Sequence, residues 1–169
     1  MQRTVHIVDD DAALRTALAR LVRSAGLVAL EHADAAALLD SALEPPCCIL
    51  LDVRLGRQNG LAVQDALRGA GRTTPIIFLT GYGTIPMTVQ AMRAGAVEFL
   101  TKPVDEAVLL EAVGRAIDAD AASLEASQVQ RALEDRYARL TEREREVMAF
   151  AIGGLMNKQI AGELGVAEI

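Results

Sequence analysis

Residues 5–14 read VHIVDDDAAL, and the change of character halfway along decides the fold. Val5, His6, Ile7 and Val8 are mostly β-branched and apolar, the composition of a short strand buried on both faces. They run directly into Asp9, Asp10 and Asp11. Beyond those, Leu14, Leu18, Leu21 and Val22 recur at three- and four-residue steps, as on one face of a helix. A strand that gives way at once to a helix is a βα unit. Three consecutive carboxylates at the junction repel one another and destabilise the fold unless a positive group offsets them.

The same alternation repeats down the chain. Strand candidates are TVHIV (4–8), LVALE (27–31), CCILLDV (47–53), PIIFLT (75–80) and VEFLT (97–101). Helical patterns lie between them at 11–24, 34–43, 60–68 and 85–94, with a last helix from 105. Five βα units in series predict a doubly wound α/β domain with a parallel five-stranded sheet. Ligands of such sheets bind beyond the carboxyl ends of the strands, where the strand order reverses.

Composition narrows the function. The chain has 169 residues, 51% of them hydrophobic, enough for one well-formed domain and something smaller. Aromatic residues are 3% with no Trp, which argues against an aromatic stacking site for sugars or single strands. A net charge of −6 is unfavourable for nucleic-acid binding by the chain as a whole. Cys47 and Cys48 are strand neighbours that point to opposite faces, so they read as small buried hydrophobes of a reducing compartment. No signal peptide precedes the first strand and no apolar run approaches 18 residues, so a soluble, cytoplasmic protein is expected.

The polar residues that end strands converge on one rim: Asp9 and Asp10 after the first strand, Asp52 after the third, Thr80 after the fourth, Thr101 and Lys102 after the fifth. Carboxylates in this number suit a hard divalent cation, most naturally Mg²⁺. Lys102 carries separate weight, because the chain holds 15 Arg and only 2 Lys and uses Arg where any cation will do. A Lys just before Pro103 answers a need for a compact point charge. Together these groups describe a phosphoryl-accepting carboxylate. Asp52 is the nucleophile. Asp10 and Asp52 hold the metal with Asp9 supporting, Lys102 pairs with a phosphoryl oxygen, and the Thr80 hydroxyl hydrogen-bonds another.

On these residues, positions 1 to about 118 resemble the receiver domain of bacterial two-component response regulators. Gly60, eight residues after Asp52, fits the family's loop, and FLTGYGTIPMTVQAMRAGAVEFLTKP (78–103) is especially like the FixJ/NarL group. The resemblance implies a flavodoxin-like (CheY-like) fold with strand order 2-1-3-4-5. It implies Mg²⁺-dependent phosphorylation of Asp52 by a partner sensor histidine kinase, a cis Lys102–Pro103 bond, and a metal ligand from the backbone carbonyl of Arg54. Phe99 falls where the family keeps an aromatic switch that responds to Thr80, although strand alternation fits plain core equally well. The family's Met-Pro pair after the acceptor is replaced by Leu55 and Gly56, and glycine there is expected to loosen the loop. Two other readings compete: a Mg²⁺-dependent phosphohydrolase, which would need a substrate cap that this chain lacks, and an interaction module that ignores phosphorylation.

From Val104 to about Arg139 the chain reads as helix. Leu110, Val113, Ile117 and Leu124 keep a heptad-like rhythm, with Leu133, Tyr137 and Leu140 out of phase; a dimeric coiled coil and a linker packed on its own domain both fit. Thr141 and Glu144 form a capping box for a further helix. Residues 140–169 resemble the beginning of a LuxR-type helix-turn-helix. The expected organisation is receiver 1–118, helical linker 119–139, and a truncated all-α DNA-binding domain 140–169. That family's recognition helix enters the DNA major groove; here it would follow Ile169. Within 140–169, three basic residues stand against five acidic ones, a poor DNA surface. Asn157 and Lys158 suit either phosphate contacts or helix capping. The expectation is a transcription regulator whose phosphorylated receiver forms a homodimer and aligns two domains on promoter DNA.

Overall fold

The computed structural model describes residues 2–165 apart from Tyr82, and of Asn157 only the backbone. β1 (Thr4–Val8), β2 (Val28–His32), β3 (Cys47–Asp52), β4 (Ile76–Thr80) and β5 (Glu98–Thr101) form one parallel sheet in the order β2-β1-β3-β4-β5. The fold class read from the sequence is the one observed. The order reverses between β1 and β3, so the residues after Val8 and after Leu51 share one crevice.

Alternation along the strands builds two cores. Ile7, Cys48, Leu50, Ile77 and Leu79 face α1 (Ala12–Ser24) and the first half of α5 (Glu106–Ala138). Val8, Ile49, Leu51 and Phe78 face α2 (Ala35–Leu39), α3 (Gly60–Gly69) and α4 (Ile85–Arg93). Both cysteines are free and fully buried, one per face as expected, and burial pushes the Cys47 thiol up to about 11.

Three local features depart from the sequence reading. Asp11 is not the first residue of α1 but its N-cap, accepting from the amides of Ala13 (2.9 Å) and Leu14 (3.2 Å). Helix α2 ends at Leu39 instead of running to 43, because Ser41 turns back onto the Leu38 carbonyl and the following Pro45-Pro46 pair excludes helix. Residues 54–59 form a small hairpin, Arg54–Leu55 against Gln58–Asn59, in which Gly56 turns with φ 57°. Leu55 is buried in it. Lys102–Pro103 is cis, as the family resemblance implied, and so is Pro45–Pro46.

The chain divides into two units, Met1–Glu125 and Ala126–Ile169. In the first, α5 is tied to the sheet as far as Asp120, whose buried carboxylate accepts from the Cys47 amide at 2.9 Å. Arg3 pairs with Asp118 on the same side. In the second, α6 (Glu142–Ile152) opens with the expected Thr141–Glu144 capping box, and α7 (Asn157–Leu164) follows the Gly153-Gly154 break. Arg145 lies 5.5 Å above the Tyr137 ring and donates to the Ala138 carbonyl. No helix among the described residues is long and apolar enough to cross a membrane.

Candidate functional site

The three carboxylates that opened the sequence have three different fates. Asp11 is spent on capping α1. Asp9 is almost fully buried; its Oδ1 accepts from the Asp11 amide at 2.9 Å, and its Oδ2 accepts from Lys102 Nζ at 2.7 Å. Asp10 stays exposed at the rim. The offsetting cation sought from the sequence is Lys102, and it also donates to Asp52 Oδ2 at 2.8 Å. The other oxygen of Asp52 accepts from the Arg54 amide at 3.0 Å. Burial pulls the Lys102 ammonium down, but its hydrogen bonds to Asp52 and Asp9, with their charges, outweigh this and hold it above its ordinary value. It stays charged across the physiological range.

Asp9, Asp10, Asp52, Arg54, Gly56 and Lys102 surround an open cleft of about 440 Å³ at the carboxyl ends of the strands. Each of Asp9, Asp10 and Asp52 offers an oxygen within 4.8 Å of the others. That donor set fits a divalent cation with oxygen preference, which takes a few carboxylates and keeps water or phosphate for its remaining positions.

Backbone geometry holds Asp52 at the cleft. The Val53 amide donates to the Leu79 carbonyl (3.1 Å), and the Gly60 amide donates to the Val53 carbonyl (2.8 Å), closing the hairpin loop onto the strand. Gly60 is required there: a Cβ on it would lie 2.4 Å from the Asp52 carbonyl oxygen.

Thr80 is buried at the end of β4, and its carbonyl receives the Lys102 amide at 2.7 Å. Phe99 sits on β5 in register with Phe78, ring centroids 6.0 Å apart. Thr80 and Phe99 both border Gly83, where a Cβ would lie 2.9 Å from Phe99 Cε1 and 3.2 Å from Thr80 Cγ2. The two residues are thus neighbours packed around one glycine. Lys158 is exposed in the first turn of α7, in the second unit. The side chain of Asn157 lies outside what is described, and the N-cap position of α7 falls on Met156, not on Asn157.

Sequence reasoning missed one polar group at the site and a buried histidine pair elsewhere on the sheet. Arg15 reaches back from α1 to donate to the Asp9 carbonyl at 2.7 Å; its place one turn beyond the Asp11 cap was the available signal. His6 Nδ1 lies 3.0 Å from His32 Nε2 in a buried pair on β1 and β2, a diagonal relation visible only once the strands are in register.

Comparison with known proteins agrees with this geometry. Residues 5–114 match the family described as response regulator receiver domain, and residues 138–169 match bacterial regulatory proteins of the luxR family. The chain is 43% identical to nodulation protein W of Bradyrhizobium diazoefficiens, over 98% of its own length and 73% of that protein. Among solved structures it resembles the response regulator StyR (TM-score 0.89, 42% identity, 99% of this chain and 85% of that one). It also resembles full-length FixJ from B. japonicum (TM-score 0.67, 35% identity, 98% and 82%).

Proposed function

Because the chain belongs to the response regulator receiver family and carries a luxR-family segment, as a two-component response regulator of transcription, we propose that phosphorylation of Asp52 is its switch. The observation that carries this reading is the double hydrogen bond of Lys102 to Asp9 and Asp52 at the sheet's switch point. An Asp52 oxygen attacks the phosphorus of a phosphohistidine on a partner histidine kinase. The bond from phosphorus to that nitrogen breaks, the nitrogen keeps the electron pair, and an acyl phosphate remains on Asp52.

Asp9, Asp10 and Asp52, with the Arg54 carbonyl, would hold Mg²⁺, which neutralises charge on the phosphoryl oxygens. Lys102 is already fixed beside the nucleophile and moves its ammonium from the carboxylate to a phosphoryl oxygen without crossing the cleft. The Thr80 hydroxyl follows another oxygen, and Phe99, packed against the same glycine, takes up the space it leaves. The altered face around α4, β5 and α5 then pairs with a second copy, and the luxR-family segments, with Asn157 and Lys158 near phosphates, reach promoter DNA. The setting is the cytoplasm.

Intact mass after incubation with acetyl phosphate and Mg²⁺ tests the reading. One added phosphoryl group is expected in the wild type only, and none in Asp52→Asn or in chelator. A gain that survives Asp52→Asn would overturn the assignment.

A further inference from the structure

Asp9, Asp10 and Asp52 are restrained to different degrees. Both oxygens of Asp9 and both of Asp52 accept hydrogen bonds, from the Asp11 and Arg54 amides and from Lys102. The Asp10 carboxylate is exposed and accepts none from the described residues. Its direction is therefore set by its own backbone, in the short passage from β1 to α1. There the chain has left the strand at Val8 and reaches the helix N-cap at Asp11.

The Asp9 carbonyl lies in that passage, outside both the sheet ladder and the helix. Arg15 Nη1 donates to it at 2.7 Å, and among the described residues no backbone amide does. A carbonyl left unpaired at a partly buried place costs stability and turns in search of a partner. The Asp9 carbonyl and the Asp10 nitrogen and Cα belong to one planar peptide unit, so the group that holds the carbonyl also aims Asp10. On its other side, the Asp9 amide donates to the His32 carbonyl at 3.3 Å, which leaves the Asp9–Asp10 peptide as the part that Arg15 must fix.

Arg15 is placed to hold the passage, not to touch a ligand. Its side chain is only 16% exposed, with Nε 3.9 Å from Glu31 on β2, and it is not among the residues that surround the cleft. Glu31 is steadied in turn by Arg23 at 3.2 Å. We infer that Arg15 is a positioning residue: through the Asp9 carbonyl it holds Asp10 at the angle needed to share a divalent cation with Asp9 and Asp52. The inference rests on the metal site proposed above. The charge of the guanidinium acts in the opposite sense, because a cation behind three carboxylates repels a second cation. Position and charge thus predict opposite signs when Arg15 is removed. Losing a partner that orients a metal ligand weakens binding by roughly 10–100-fold.

The test measures Mn²⁺, a hard ion that takes the same oxygen donors, binding to the unphosphorylated chain. Electron paramagnetic resonance of the free ion reports affinity in wild type, Arg15→Met, Arg15→Lys and Asp10→Asn, and circular dichroism checks the fold of each. About tenfold weaker binding is expected in Arg15→Met. Arg15→Lys should fall between, since it keeps the charge and one donor head but not the fork that serves Asp9 and Glu31 together. Unchanged binding in Arg15→Met would overturn the positioning role, and tighter binding would replace it with charge alone. Should Arg15→Met not fold, wild-type affinity in Arg15→Lys would overturn the role equally. A wild-type chain that binds no Mn²⁺, or binds it as well after Asp10→Asn, would overturn the metal-site reading and the role of Arg15 with it.

Discussion

Lys102 and Asp9 are 93 residues apart in sequence, and their side chains meet at 2.7 Å where the strands end. Asp9 is nearly inaccessible, so its carboxylate depends on this ammonium for charge compensation. Removing the cation leaves Asp9 and Asp52 facing each other. Lys102→Met is expected to lower unfolding free energy by about 3 kcal/mol in chelator, the low end of the cost of breaking a buried pair, because the ammonium is partly exposed. A divalent cation supplies the same compensation, so Mg²⁺ should stabilise the variant more than the wild type. Thermal melts of both proteins with and without Mg²⁺ check this, and a gap that Mg²⁺ leaves unchanged would refute the compensating role.

The buried His6–His32 pair predicts an acid sensitivity independent of the carboxylate site. Burial first, and the neighbouring His32 second, push His6 down to about 4. His32 is also lowered by burial, against the opposing pull of the Ala37 backbone and Asp34. Well above pH 6.5 both rings are neutral folded or unfolded, so they exert no pH dependence there. Between pH 6.5 and about 4 the unfolded chain takes up protons that the folded chain refuses, so stability falls as pH falls. At pH 5 the loss from His6 is about 2 kcal/mol relative to pH 7, at 1.36 kcal/mol per pKa unit. Urea midpoints at the two pH values should show a smaller loss in a His6→Gln/His32→Gln double variant. Equal losses would place the acid sensitivity elsewhere.

Gly60 packs against the backbone of the residue proposed as nucleophile. A methyl group there would press on the Asp52 carbonyl and on Val53 Cα, and neither is a side chain that can swing away. Gly60→Ala should destabilise the chain by about 2–4 kcal/mol and slow phosphorylation, because the strand end that aims Asp52 must shift. Chemical denaturation and the rate of phosphoryl gain are the readouts. A variant as stable and as reactive as wild type would show that the loop relaxes without moving Asp52.

Much of the site was legible in advance because its parts are local. A strand that ends in acid before an amphipathic helix places Asp9 and Asp10 at a rim, and the same grammar places Asp52, Thr80 and Lys102. Elements whose ends depend on single turns were less legible. The α2 helix stopped early at Leu39, where Ser41 turns back onto the Leu38 carbonyl, and the Arg54–Asn59 hairpin had no periodicity to announce it. The two-residue strands of that hairpin are too short to show alternation.

By itself, the sequence determined the alternation of strands and helices, the face each apolar residue takes, and the strand end at which each polar residue stands. These follow from periods of two and 3.6 and need no distant partner. Only the tertiary structure decided what the carboxylates do. Asp11 caps a helix, Asp10 faces the cleft, and Asp9 is locked to Lys102. That last pairing requires β1, β3 and β5 to sit in one register, as does the meeting of His6 with His32. Such contacts join residues far apart in the chain, and their geometry is set by sheet order and helix packing, which no local pattern encodes.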